Sequence, residues 1–218
     1  MMKRYELHCH TKYSKCSNQE PKKILELAKQ KGLDGIAITD HNTIKGALEI
    51  KKLNKNKKFE VIVSEEVDTN LGDVLVYYVK KAIKPGKFED VVKEAHKQGG
   101  IVVIAHPYGL FYLRRFKGDI GKLKKDIDAV EAFNGRTTQF FNKKSLALAE
   151  KNGLAITGGS DAHFNFEFSK VNTVFEGNLR DAIKNRKTKV KVLSKKIGLF
   201  WIGIGHFYTF LRKRLRVI

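Results

Sequence analysis

The sequence predicts an α/β chain whose strands close into a compact barrel. Three observations predict it. Short β-branched runs alternate with helix-period stretches, the pattern of parallel strands joined by right-handed crossovers. The runs are apolar throughout, as strands covered on both faces are. Seven or eight such units fit into 218 residues, too many for a small sandwich and about right for one barrel.

The elements follow in order. The opening strand ends in His8-Cys9-His10. Residues 21–31 carry Ile24, Leu25, Leu27 and Ala28 on one side of a helix, with Pro21 in its first turn and Asn18 as a nearby cap. Gly35-Ile36-Ala37-Ile38-Thr39 reads as a buried strand that ends in Asp40-His41. A second such strand covers 59–64 and ends in Glu65-Glu66. A third, 73–79, is expected to pair with Val67-Asp68-Thr69 across Asn70-Leu71-Gly72. A helix over 87–98 precedes the apolar strand 101–105, which ends in His106-Pro107. Strands are expected at 129–133, 154–157 and 171–175, with a helix from about 138 to 152. No internal repeat is visible.

Composition narrows the classes. The chain is 42% hydrophobic and 30% charged, enough for a packed core and against wholesale disorder. Three Pro and eighteen Gly exclude a fibrous chain. Two Cys cannot build a disulfide framework, and a reducing, cytoplasmic setting is expected. Cys9 lies between two His, where a thiol serves better near a metal than in a bridge. Met1-Met2-Lys3-Arg4-Tyr5 runs straight into polar sequence, so no secretory leader is expected. No run reaches the roughly 18 apolar residues of a spanning helix.

The net charge is +20 and uneven. Residues 182–218 hold eleven Lys and Arg and no Asp or Glu. We expect a barrel over 1–180 and a basic, partly hydrophobic extension over 181–218. A basic tail draws polyanions, nucleic acid or an anionic membrane surface. Within it, 197–211 is apolar and aromatic between basic ends. Packing on the barrel, lying in a membrane interface and stacking nucleic-acid bases all remain open for it. Gly198, Gly203 and Gly205 weigh against a helix.

The chemistry gathers at strand ends. His8-x-His10, Asp40-His41, Glu65-Glu66, His106 and Asp161-x-His163 each follow a predicted strand, and Asp73 opens one. The C-terminal strand ends of a parallel barrel converge on one rim, where active sites are built. Residues i and i+2 of an extended segment point the same way, so His8 with His10, and Asp161 with His163, can share an ion. Five of the seven His belong to this set, leaving His96 and His206 outside. Each piece has a plain structural reading too: Asp40 as a helix cap, His106 as a satisfied core residue, Asp73 as a turn residue. Six clusters, all at strand ends, favour a metal site.

The series His8-x-His10-Thr11, Thr39-Asp40-His41-Asn42, Glu66, Ala105-His106-Pro107, Asn134-Gly135-Arg136 and Gly159-Ser160-Asp161-Ala162-His163 resembles the PHP (polymerase and histidinol phosphatase) family of metal-dependent phosphoesterases. The resemblance implies a distorted seven-stranded (β/α) barrel with two or three zinc, manganese or iron ions. It implies that His8, His10, Glu66 and Asp161 hold one ion, that Glu66 bridges to a second bound by His106, and that His41 and His163 hold a third with Asp40 beside them. Glu66 rather than Glu65 matches the family's Gly-x-Glu, with Ser64 in place of the glycine. Asp73 stands where many members have a His ligand, and serves either as an oxygen ligand or as a turn residue. Cys16 falls near another ligand position, and is either a thiolate ligand or a small half-buried residue.

The expected function is hydrolysis of a small phosphomonoester or nucleotide by a metal-bound hydroxide. Asp40, Glu66 and Asp161 are the carboxylates expected to serve catalysis. Arg136, with its planar fork, is the expected phosphate partner, and Lys12, Arg114 and Arg115 are further cations near the rim. One alternative is a nuclease or nucleotide phosphatase acting on RNA or DNA ends, which the basic charge favours. Another is a non-catalytic nucleic-acid-binding or scaffold barrel. The oligomeric state is not legible in the sequence.

Overall fold

A computed structural model describes residues 1–109 and 115–193, together with Phe207, Phe210, Leu211 and Arg214. Nine strands form one sheet in the order β7-β6-β5-β4-β3-β2-β1-β8-β9. The strands are β1 (Met2–Glu6), β2 (Gly35–Ile38), β3 (Glu60–Thr69), β4 (Gly72–Tyr77), β5 (Ile101–Ile104), β6 (Ala129–Asn134), β7 (Ala155–Gly159), β8 (Val171–Glu176) and β9 (Lys189–Val192). The helices are α1 (Pro21–Gln30), α2 (Lys45–Leu53), α3 (Phe88–Lys97), α4 (Ile120–Leu123), α5 (Gln139–Asn152) and α6 (Leu179–Lys184).

Two parallel blocks, β1-β2-β3 and β5-β6-β7, are joined through β4, which is antiparallel to both neighbours. β8 and β9 complete the sheet, each antiparallel to its neighbour. The hairpin expected between 67–69 and 73–79 is present, whereas β8 and β9 run antiparallel where parallel strands were expected, and the sheet has nine strands where seven were expected. Asn70-Leu71 closes a tight hairpin between β3 and β4, with Thr69 opposite Gly72, and such a hairpin needs no crossover helix. β3 is one strand of ten residues, so Glu65-Glu66 lies within it rather than at a strand end. The sheet runs past residue 180 to Val192 in β9.

The ends of the sheet come back together. The Thr173 hydroxyl of β8 donates to Gly158 O of β7 (2.9 Å) and accepts from Gly158 N (2.8 Å). Beyond β7, Ala162 O accepts from His10 N (2.9 Å). The result is a nearly closed, barrel-like sheet.

Pleat alternation divides the core. Ile36, Ile38, Val61, Val63, Val74, Val76, Val102 and Ile104 pack outward against Ile24 and Ala28 of α1, Ala47 and Ile50 of α2, and Val91 and Ala95 of α3. Ala37, Ile62, Leu75 and Val103 form a second cluster with Tyr5, Leu7, Tyr77 and Phe175, joined by Leu179, Ala182 and Ile183 of α6. Pro21 opens α1, but Asn18 does not cap it: the cap position is Glu20, without a side-chain bond. The helix α5 is bounded as expected, by the Thr138 hydroxyl accepting from Phe141 N and by Gly153 in the left-handed conformation. Among the described residues no helix is long and apolar enough to cross a membrane. The 197–211 segment, apart from Phe207, Phe210 and Leu211, lies outside the described residues.

Candidate metal centre

The segments that follow the strands carry the site. The chain beyond β1 stays extended: Thr39 N donates to Cys9 O (2.9 Å), and His10 N donates to Ala162 O (2.9 Å). Residues 8–10 are thus threaded between the segments that follow β2 and β7. Alternation sends His8 and His10 to one face and Cys9 to the other. Cys9 donates its thiol to Ala37 O (3.6 Å) in the outer core, so the structure turns it away from the metal ligands it was expected to join.

The segment after β2 runs along β3. Glu66 N donates to Asp40 O (3.1 Å) and Asn42 N to Glu66 O (2.8 Å), setting His41 beside Glu66. Glu66 has the parity of Ile62 and Ser64, whereas Glu65 has that of Val63 and Val67. Glu65 accepts instead from Ile83 N (2.7 Å), and burial pushes its pKa up to about 7. Asp73, opposite Asp68 in β4, has its Oδ2 3.9 Å from His106 Nε2.

Three groups of donors result. His8, Glu66 and His106 form one; His8, His10 and Asp161 a second; His10, Cys16, His41 and His163 a third. In each, one donor atom per residue lies within 4.8 Å of all the others. Glu66 links them: Oε1 is 3.0 Å from His106 Nε2, while Oε2 is 3.3 Å from His10 Nε2, 3.4 Å from His41 Nδ1 and 3.5 Å from His8 Nε2. Asp161 Oδ1 lies 3.2 Å from His10 Nε2 and 3.5 Å from His8 Nε2. Among the described residues, His8 Nε2, both nitrogens of His41, His106 Nδ1 and His163 Nε2 are buried without a hydrogen-bond partner. A buried polar atom left unpaired costs about 1–3 kcal/mol. Five such nitrogens beside carboxylates and a thiol are what transition-metal coordination would satisfy.

Around these donors stands a shell that the sequence did not reveal. Glu131, in β6, places Oε1 2.8 Å from His8 Nδ1 and accepts from His106 N (2.9 Å) and Asn134 Nδ2 (3.1 Å) through Oε2. Glu6 accepts from His8 N (3.1 Å), Ser160 N (2.8 Å), Ser169 N (3.1 Å) and the Ser160 hydroxyl, and burial raises its pKa to about 7. Each is an acid in an otherwise regular strand. That was the one available signal, and periodicity assigns it no role.

The structure does not bring Asp40 into the donor groups. Its carboxylate accepts from Thr11 N (2.7 Å), Thr11 Oγ1 (2.6 Å) and Ser14 Oγ (2.7 Å). Nor does it cap α2, whose cap position is Ile44. Asp40 acts through Ser14, whose hydroxyl accepts from His41 N (3.0 Å) and lies 3.3 Å from His10 Nδ1.

Arg136 is brought in, but to the interior. It is 3% exposed, with Nε 3.5 Å from Glu167 Oε1. Glu167 also accepts from His163 N (2.8 Å), so the pair holds the loop that carries His163. Lys12 forms an ion pair with Glu20 (2.8 Å). Arg115 donates to Gly109 O (3.0 Å) and lies over the Phe141 ring. Arg114 lies outside the described residues.

Electrostatics sort the protonation states. Burial, reinforced by Arg136 and His10, holds His163 well below the usual histidine range. Burial alone would raise the carboxyls, but the surrounding imidazoles outweigh it and hold Glu66 well below the usual range. His8, His10, His163 and Arg136 do the same for Asp161. The backbone is strained here: His106 (φ 26°) and Asp161 (φ 51°) occupy the left-handed region, at a cost of order 1–3 kcal/mol each.

The PHP domain profile matches residues 6–122, and the PHP-associated profile matches 139–188. An uncharacterized protein of Methanocaldococcus jannaschii is 37% identical over 140 residues, covering 59% of this chain and 80% of its own length. A protein of Caldicellulosiruptor saccharolyticus named as a probable phosphatase is 26% identical over 198 residues, covering 76% of this chain and 82% of its own length. A two-domain protein from Bacteroides vulgatus, containing a predicted PHP-like metal-dependent phosphoesterase, superposes with a TM-score of 0.74 at 16% identity, over 88% of this chain. This chain spans 65% of that protein's length.

Proposed function

The chain belongs to the PHP domain family, and from that premise we propose that it is a metal-dependent phosphoesterase hydrolysing a small phosphomonoester or a nucleotide. The observation that carries this is the convergence of three donor groups that share His8, His10 and Glu66, with unpartnered imidazole nitrogens directed among them. Bound divalent ions would supply Lewis acidity toward a phosphoryl oxygen and lower the pKa of water.

This chain's own residues do the positioning. His8, His10, Glu66 and Asp161 would hold one ion, and Glu66 with His106 a second; zinc, manganese and iron all suit imidazole with carboxylate. Asp73 stands within reach of the second position as an oxygen donor. Glu131 holds the His8 ring in place, Asp40 does so for Ser14 and through it His10, and Arg136 with Glu167 fixes the His163 loop.

Among phosphoesters, an aromatic pair that begins next to His163 suits one that carries a base. Phe164 follows His163 and stacks on Phe166 (ring centroids 5.7 Å apart, 6° between planes). Lys170 lies 5.2 Å from the centroid of Phe166, which is exposed. Aromatic faces beside cations stack bases, worth about 1–3 kcal/mol per base. A nucleotide or an oligonucleotide end is therefore the second reading. The non-catalytic scaffold reading gains nothing from such a donor set.

The test is elemental analysis of untagged protein beside hydrolysis of an aryl phosphate, mononucleotides and short oligonucleotides, for wild type and Asp161→Asn. Two or three ions per chain and a fall in rate of about 10³-fold in the variant are expected, since losing several kcal/mol of transition-state stabilisation has that effect. A wild type that takes up no metal and hydrolyses none of these esters would sink the proposal.

A further inference from the structure

At the end of the barrel away from the metal centre lies a basic groove. β4 pairs with Ser64–Thr69 of β3, and then Tyr78, in the left-handed conformation (φ 64°), turns the chain out of the sheet. Among the described residues, Glu60–Val63 therefore have β2 as their only strand partner. A groove of about 680 Å³ opens along them, between the loop that follows α2 and residues 78–80. Glu66 stands six residues beyond Glu60 in β3, about 20 Å away at the rise of a strand. We infer that this groove holds the phosphate backbone of a single-stranded nucleic acid, without reading its sequence. The inference stands apart from the phosphoesterase reading, since it needs neither a bound ion nor catalysis.

Charge is the first observation. Lys51, Lys55, Lys57, Lys80 and Arg180 line the groove against one acid, Glu60. That carboxylate accepts from the Tyr5 hydroxyl (2.7 Å). All five cations are exposed. Among the described residues none of the four lysines makes an ion pair, whereas Lys12, Lys23 and Lys97 each pair with a Glu. Like charges gathered without counter-charge repel one another. A chain of phosphates relieves that repulsion and releases its own counterions on binding.

The loop is built to hold its cations in place. Asn54 Nδ2 donates to Asn56 O (3.0 Å) and Phe59 O (2.9 Å), while Asn54 Oδ1 accepts from Asn56 N (3.2 Å). Asn56 Oδ1 accepts in turn from Lys58 N (3.0 Å). The backbone that carries Lys55 and Lys57 is thereby fixed before a partner arrives, and such preorganisation lowers the cost of binding.

A second observation selects a nucleic acid among polyanions. Arg180 lays its guanidinium over the Tyr78 ring (4.0 Å to the centroid), and its Nη1 donates to Gly99 O (2.7 Å). The result is an exposed cationic plane, held at two points, in the wall of the groove. Unpaired bases stack on such planes. An acidic peptide carries no base to stack there, and a membrane surface is too flat to enter a groove.

The experiment measures binding of a fluorescent oligouridylate to the full chain, kept free of metal by chelator, through anisotropy across a salt series. With four or five phosphates contacted, log Kd should rise with log salt at a slope of about 3. Lys55→Glu with Lys57→Glu should weaken binding by about tenfold or more and lower that slope by about 1.4. Lys124→Glu with Lys125→Glu has the same net charge but lies outside the groove, so it should keep the wild-type slope and bind more tightly than the groove variant. Arg180→Lys keeps the charge and loses the plane, and should weaken binding by about tenfold with the slope unchanged. All five substituted positions are exposed, and thermal melting checks the fold of each variant. Equal weakening of the two double variants overturns the proposal. So does displacement of the strand by polyglutamate or anionic vesicles as effectively as by unlabelled oligouridylate. A wild type that fails to bind, or binds without salt dependence, overturns it with no variant needed. Groove-dependent binding by a protein that hydrolyses no phosphoester when metal is restored would uphold this inference while the phosphoesterase reading falls.

Discussion

His8 offers two nitrogens to its surroundings, and Glu131 engages one of them. With Nδ1 2.8 Å from Glu131 Oε1, the other nitrogen faces Glu66 and Asp161, both at 3.5 Å. An acid that orients a ligand imidazole typically affects metal affinity by 10–100-fold. Glu131→Gln should therefore weaken metal binding by about that factor, measured by competition with a chromophoric chelator. The substitution is unusually informative because Oε2 already accepts from His106 N and Asn134 Nδ2. A Gln must turn its amide toward either His8 or those two donors. Unchanged affinity would mean that His8 needs no partner. The same scale explains Glu65 and Glu66. Adjacent in sequence, they occupy opposite pleats, one accepting from the Ile83 amide and the other placed among four imidazoles.

At the scale of elements, the site depends on how closely two extended segments approach. A Cβ on Gly159, at the end of β7, would lie 2.4 Å from His8 Cβ and 2.7 Å from His8 N. No rotamer relieves such a clash, because one of the opposing atoms is backbone. Gly159→Ala should destabilise the fold by about 1–3 kcal/mol or more, and displace His8 from its donors. Gly86, with nothing within 4 Å of its added Cβ, provides the comparison, and Gly86→Ala should stay within about 0.5 kcal/mol of wild type. Urea unfolding of the two variants reads the difference directly. Equal stabilities would show that the segments have room to separate.

At the scale of the whole molecule, an ion held at the centre would constrain the fold. The centre gathers residues from the segments following β1, β2, β5 and β7 and from within β3, so an ion bound there ties distant parts of the sheet together. Ligand bound at 1,000 times its dissociation constant stabilises by about 4 kcal/mol. For a chain of this size that corresponds to a melting shift on the order of 10 °C. Chelation should lower the melting temperature by that order, and zinc should restore it. Identical melting curves with and without chelator would show that the buried imidazoles are satisfied without metal.

Much of this was legible in the residues. The apolar runs gave the strands, a helix was expected from about 138 to 152, and the spacing of His8 with His10 put both on one face, because side-chain alternation is a local property of extended backbone; Asp161 and His163 fall in different donor groups. The antiparallel course of β8 and β9 was less legible than that of β4, whose turn marked a hairpin, since strand direction depends on which partner a strand finds rather than on its own composition. The displacement of Asp40 to Thr11 and Ser14, the burial of Arg136 against Glu167 and the parts played by Glu6 and Glu131 were decided by contacts between segments far apart in sequence. The sequence by itself determined which residues are available as donors to an ion. Only the tertiary structure decided which of them meet and which support the others, because hydrogen-bond partners across a closed sheet are a matter of proximity in space.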